Sequence, residues 1–363
     1  MLRAVRMMPR HSTLFFVLVS ALVLLPRSAD AAPDPAAPAA APASSTNTAR
    51  ARVVVAIDPA ATSAFAPDPD VVRRMVENGL LGLTGKPTAN EAWRSLVAPG
   101  DVVGFKVTAT PGAVSGTRPA VVRPLIEGLI TSGHAPSNIV IWDKRDLDLR
   151  AAGWSRLAQE LGVRCVASED TGWDGDRSYE SPLIGRLVAG DRDFGKKENE
   201  GTGRRSYVTK LLTHDITKIV SVAPVLSHNV AGVNGHIAGL AWASTDNTLR
   251  FANDPVRLAE AAPDICALDD VLPKLAFAVG DALLCQYRGE ELTLLHYAVA
   301  LDELRFSKDS VALDVLALAD VQRFRGAAKV EGEKKFVTEL YTNAELIELG
   351  VADLKRIDRI RVP

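Results

Sequence analysis

The sequence predicts an α/β protein built on a mostly parallel, helix-covered sheet. Two patterns carry that prediction. Short β-branched runs, such as residues 52–57 (RVVVAI) and 138–142 (NIVIW), end at Pro, Gly or Asp. Between them lie segments whose apolar residues recur at helical spacing. Strands alternating with amphipathic helices imply crossovers that cover both sheet faces, and hence parallel pairing. Composition agrees: 363 residues that are 47% hydrophobic and 24% charged carry enough apolar surface to offset chain entropy. That excludes disorder over most of the length.

Taken in order, the first element is an address. Arg3, Arg6 and Arg10 precede the apolar run of residues 14–25, Pro26 breaks it, and Ala29-Asp30-Ala31 supplies small residues for cleavage. This is the pattern of a secretory signal peptide over residues 1–31, with export to a periplasmic or extracellular space. The run is too short for the ~20 residues that span a bilayer, so no membrane span is expected after cleavage. Residues 32–49 are nearly all Ala, Pro, Ser and Thr, a solvated tether. Folding is expected over 50–363.

Residues 52–57 form the first strand and 70–81 a helix ending near Gly82. Residues 101–107 (DVVGFKV) form the second strand. Residues 119–131 place Val121, Val122, Leu125, Ile126, Leu129 and Ile130 on one helical face; Pro124 predicts a late start or a kink. A third strand (138–142), a helix (151–161) and a fourth strand (163–167) follow. Residues 168–206 hold many Gly and charged residues and few periodic apolar positions. They read as an insertion between halves 50–167 and 207–363, expected to pack across a cleft. Strands are predicted at 218–223 and 274–279, the latter ending at Gly280-Asp281. Helices are predicted at 255–262, at 310–324 capped by Asp309, and at 344–349.

Net charge is −2 and no stretch concentrates Lys and Arg, which argues against nucleic-acid binding. Of the three cysteines, Cys165 reads as a buried small hydrophobe. Cys266 and Cys285 are the pair an oxidising compartment would join. No C-x-x-C occurs, so no iron–sulfur cluster or zinc ribbon is expected. Residues 79–88 (GLLGLTGKPT) fall short of a phosphate loop because Pro87 replaces the magnesium-binding hydroxyl. Ser115 lies in GAVSG and makes no nucleophile elbow.

Residues 219–251 carry the most information. A strand ends at Ala223-Pro224; His228 and Asn229 follow, then Gly232, Asn234, Gly235, His236 and Gly239. In parallel α/β folds ligands sit beyond the carboxyl ends of strands, and a Gly-rich turn brings backbone N–H groups close to an anion. His228 can serve as acid, base or metal ligand.

Ordered blocks extend this reading. They are Phe105-Lys106-Val107, Thr117-Arg118-Pro119, residues 224–228 leading to Gly232-Val233-Asn234-Gly235, Asp281, and residues 307–314 (SKDSVALD). In them the chain resembles the bacterial and archaeal domain of unknown function family 362, from about residue 100 onward. The resemblance implies a site drawn from Lys106, Thr117, His228, Asn229, Gly232, Asn234, Gly235, Asp281, Asp309 and Asp314. Lys106 and His228 would hold an anionic group, and Asp281 would orient His228 or a cation. The plainer readings are a surface Lys106, Asp309 as a helix cap, and a solvent-facing Asp314. Two departures stand out: Ala238-Gly239 replaces the family's Lys-Asn, and the ferredoxin-like cysteines of some relatives are absent. The expected function is an enzyme acting on a small anionic or oxygen-rich molecule. The alternative is a non-catalytic periplasmic protein binding a small molecule or metal. His228 and His236 are the metal candidates; with no third ligand in view, a metal-free anion pocket is preferred.

Overall fold

The computed structural model describes residues 49–196, 201–329 and 338–363. The expected signal peptide and all but the last residue of the tether lie outside them. Residues Thr48–Pro363 form one compact unit. Besides a two-residue antiparallel pair, Thr62–Ser63 with Ala66–Pro67, its strands are β1 (Ala51–Ile57), β2 (Val103–Val107), β3 (Ile139–Asp143), β4 (Arg164–Ala167), β5 (Trp173–Gly185), β6 (Gly203–Thr209), β7 (Lys218–His228), β8 (Gly232–Val233), β9 (Leu275–Gln286), β10 (Ala298–Ser307) and β11 (Ile357–Val362). The α-helices of six residues or more are α1 (Pro69–Thr84), α2 (Ala89–Leu96), α3 (Pro119–Thr131), α4 (Asp146–Ala151), α5 (Trp154–Leu161), α6 (His236–Ser244), α7 (Pro255–Ala267), α8 (Ser310–Ala327) and α9 (Glu339–Leu346).

The central sheet runs β11-β1-β10-β9-β7-β2-β3-β4, with β8 folded back on β7. All neighbours in this path pair in parallel except β10, which is antiparallel to both β1 and β9. The fold is therefore the mostly parallel, helix-covered sheet the sequence predicts. Strands from either side of the 168–206 span interleave in this one sheet, so the two sequence halves are not bodies facing across a cleft.

Strand alternation divides the core. Val103, Phe105 and Val107 pack with Trp93, Val121, Leu125 and Trp154 on the face of α1, α2, α3 and α5. Val140, Trp142 and Ile219 pack with Ile237, Leu258 and Val311 on the face of α6, α7 and α8. Period-two geometry thus sends Lys106, between Phe105 and Val107, toward α6.

Several expectations shift. Helix α3 runs through Pro124 and begins at Pro119, with Pro124 buried in the same core. The strand expected to stop at Gly280-Asp281 continues to Gln286 across a register shift. The irregular span contains a long antiparallel hairpin, β5–β6. Cys266 and Cys285 are buried and free, as is the half-buried Cys165. The Cys266 thiol donates instead to the Ile237 carbonyl at 3.3 Å. Among the described residues no helix is long and apolar enough to cross a membrane.

Candidate functional site

A cleft of about 310 Å³ opens at the carboxyl ends of β2, β3 and β7, closed on one side by α6. Lys106, Asp143, Lys144, His228, Asn234 and Trp242 line it, with Arg145, Asp148 and Glu291 also on its walls. This is where ligands bind parallel α/β sheets. A cavity of similar volume beside β5 and β6 is lined by Glu180, Asp193, Arg204 and Arg205. It holds none of the residues singled out above.

Lys106 is only 4% exposed. Its ammonium forms an ion pair with an Asp143 oxygen at 3.4 Å, and among the described residues it makes no well-aligned hydrogen bond. Asp143 is already engaged: its oxygens accept the backbone N–H of Ala109 at 2.9 Å and of Lys144 at 2.8 Å. The space for the amine comes from Gly239, where an added Cβ would stand 3.3 Å from Lys106 Nζ. A buried ammonium with unmet donors favours an oxygen-rich anion. Asn234 is also buried, and its side-chain amide has no protein hydrogen-bond partner among the described residues.

His228 ends β7. Its Nδ1 accepts the backbone N–H groups of Val230 and Ala231 at 3.2 and 3.1 Å. Gly232 adopts φ +82° to close the turn, and β8 pairs back so that Gly232 faces His228. Because Nδ1 accepts, the neutral ring carries its proton on Nε2. Burial pushes its pKa down to about 4. The ring leans on Trp242 with centroids 4.8 Å apart. His228 is therefore a neutral donor. It is a poor metal ligand, since metallated imidazoles donate their other N–H outward.

Lys144 was not anticipated. Its amine donates to the Thr245 carbonyl at 2.9 Å and to Thr248 Oγ1 at 3.0 Å, and lies 5.9 Å from the Trp173 ring centroid. Burial, with Arg145 nearby, pushes its pKa down to about 8 against the opposing pull of Asp191, Asp246 and Glu169. Asp143 and Lys144 follow directly on the NIVIW strand. The rule that ligands gather at strand carboxyl ends, applied there, points to both.

The other expected residues lie elsewhere. Asp281 does not orient His228: it is buried in an ion pair with Arg118 at 2.8 Å and also accepts the Arg118 backbone N–H at 3.1 Å. Thr117 ties strands together, donating to the Val222 carbonyl and accepting from Thr108 N. The Asn229 backbone N–H donates to Glu290, and the residue is exposed. Asp309 is the N-cap of α8 and also accepts from Val351 N. Asp314 is buried rather than solvent-facing: its oxygens accept the N–H groups of His236 and Ile237 at 2.7 and 2.9 Å. It caps α6 from another helix because Gly235 leaves the space; a Cβ there would stand 2.2 Å from Asp314 Oδ1. His236 is enclosed, with Nδ1 2.8 Å from Ser221 Oγ. Among the described residues no three His, Cys, Asp or Glu side chains gather as a metal-ligand set.

These burials give a pH test. Burial first, then Lys106, lowers the His236 pKa to about 3. The unfolded chain takes up the His236 proton near pH 6.5 while the folded chain refuses it, so this contribution is complete above about pH 6.5 and lost on acidification. Asp314 and Asp246, raised by burial to about 7 and about 6, act in the opposite direction and mask the effect in the wild type alone. The comparison with His236→Asn isolates it. The wild-type stability relative to that variant is expected to fall by about 1 kcal/mol per pH unit from pH 6.5 to 4, measured by urea unfolding. Parallel curves would exclude a buried neutral His236.

No family model matches the chain, and no curated protein matches it. Among solved structures, the crystal structure of a Thermotoga maritima protein from a structural genomics programme is similar at 11% identity. The alignment covers 73% of this chain and 60% of that protein, with a TM-score of 0.39. The chain thus spans less than two thirds of that protein's length. The fold and cleft together describe an α/β protein with a polar cleft at its strand carboxyl ends.

Proposed function

We propose that this chain is an exported, family 362-like enzyme acting on a small anionic, oxygen-rich molecule in the cleft between β2, β3, β7 and α6. The single observation that carries this reading is the Lys106 ammonium, buried, underpartnered and facing α6 across Gly239. An anion would complete its donors in a site of low dielectric, where charge-assisted hydrogen bonds are strongest. Asn234 adds an amide, His228 a neutral Nε2–H donor, and Trp242 a flat wall. Lys144 favours catalysis over storage, because an amine whose pKa lies near ambient pH can exchange protons with a substrate. Export rests on the N-terminal charge and apolar pattern, and the family reading on the ordered blocks around Lys106, His228 and Asp314.

Replacing Lys106 with Met is expected to weaken binding of small carboxylates or inorganic phosphate about 30- to 100-fold, the worth of a charge-assisted hydrogen bond. Calorimetric titration measures this, with Asn234→Ala as an independent arm. Anion binding that both variants leave unchanged would remove the cleft from consideration.

A further inference from the structure

We infer that Lys144 forms an imine with the carbonyl carbon of a small oxo acid whose carboxylate is held by Lys106. This deepens the proposal above and rests on the cleft being the substrate site. The first argument is the valence of the amine. Lys144 Nζ has two acceptors at hydrogen-bond distance, the Thr245 carbonyl and Thr248 Oγ1. A neutral amine has two N–H bonds and one lone pair, so these two partners satisfy it fully and leave the lone pair free to attack. Enclosure of the amine by the 245–248 turn, with the neighbouring Arg145, outweighs the attraction of the Trp173 ring face for a cation and favours the neutral lysine. The amine's lowered pKa agrees with this geometry. A lysine so placed is an activated nucleophile for carbonyl compounds.

The second argument is the company it keeps. Lys106 and Lys144 stand on the ends of adjacent parallel strands, β2 and β3, with Asp143 between them in contact with Lys106. Two lysines of different character line one cleft: one ion-paired and placed to hold a charge, the other with its ammonium disfavoured by its surroundings. A molecule with a carboxylate beside or near a carbonyl uses both. In the reaction the Lys144 nitrogen bonds to the carbonyl carbon. The carbonyl oxygen takes up both amine protons, in steps, and leaves as water, so the C=O bond is exchanged for C=N without oxidant or reductant. His228, with its proton on Nε2, is the cleft's donor for that oxygen as it gathers charge.

The test is reductive trapping on the folded chain. Pyruvate or 2-oxoglutarate is added with sodium borohydride, which reduces the imine to a stable secondary amine. Peptide mass mapping then locates the adduct. One saturable modification is expected at Lys144, adding the mass of the oxo acid less one oxygen. Propionate or glutarate, which lack the carbonyl, should suppress it by competition. Lys144→Arg should remove it, and Lys106→Met should raise the oxo-acid concentration for half-modification at least tenfold. An absent adduct, or labelling spread over exposed lysines and unchanged in Lys144→Arg, overturns the imine. If simple carboxylates still bind in a Lys106-dependent way in that case, the anion cleft stands and the imine alone falls. If they do not bind, both readings fall.

Discussion

Replacing Asp281 with Ala is expected to lower the unfolding free energy by about 3–5 kcal/mol, as removal of one partner from a buried ion pair does. Asp281 is fully enclosed and Arg118 nearly so. The carboxylate accepts the guanidinium through Oδ1 and the Arg118 backbone N–H through Oδ2. Arg118 is the residue that caps the start of α3, and its own side chain makes no cap hydrogen bond. Asp281 therefore supplies negative charge where the helix N-terminus wants it. Truncation strands a buried guanidinium and leaves a backbone donor unmet. A paired change, Arg118→Met with Asp281→Leu, should recover much of the loss, because apolar replacement of both charges also removes their desolvation cost. Urea unfolding of the three variants measures this. A catalytic Asp281 would behave otherwise, giving a stable protein with lost function. A drop below about 1 kcal/mol in the alanine variant would restore that reading.

Asp281 also shows why part of the molecule is hidden from sequence reading. Gly280-Asp281 looks like a strand terminator, and by local rules it is one. The strand continues because a partner 163 residues away neutralises the charge. Strand β10 is obscured in the same way: Arg305 lies inside it, buried against Glu303 and Asp320, so its charges read as surface loop. Where the local signal agrees with the tertiary setting, the elements are legible. The β1, β2 and β3 runs and the apolar face of α3 belong to this class, whereas the start of α3 does not, because Pro124 points to a late start or a kink and the helix begins at Pro119. At the site, Lys106, His228 and Asn234 stand on a strand end or a Gly-rich turn, which geometry rules can find. Asp309, Asp314 and Thr117 have the right chemistry, but backbone N–H groups and carbonyls engage them. Lys144 carries no motif; its character comes from walls contributed by β5 and the 245–248 turn.

Replacing Arg250 with Ala is expected to release the β5–β6 hairpin while leaving the central sheet folded. Arg250 is 2% exposed and is the hub of the hairpin. Nε donates to Ser206 Oγ; Nη1 donates to Ser181 Oγ and to the carbonyls of Leu183 and Arg204; Nη2 donates to the Tyr179 carbonyl. Its guanidinium also lies 5.3 Å from the Tyr179 ring centroid. Gly185 makes room for it, since a Cβ there would stand 2.0 Å from Arg250 Cγ. Hydrogen bonds from a charged group are worth about 1.5–3 kcal/mol each, and a two-stranded hairpin has little independent stability. Losing several at once should therefore raise local opening of strands β5 and β6 at least 100-fold, equivalent to about 3 kcal/mol. Hydrogen exchange would report it, and trypsin would cut at Arg177 or Arg192 before any site in β2 or β7. The effect should reach the cleft. Trp173, beside the Lys144 amine, opens the hairpin strand β5, and Asp246 is tied to the hairpin through Tyr207 N. With that wall loosened, water returns to Lys144, its ammonium is favoured, and trapping at Lys144 slows. A hairpin as protected as in the wild type would show that strand pairing and Asp246, rather than Arg250, hold it in place.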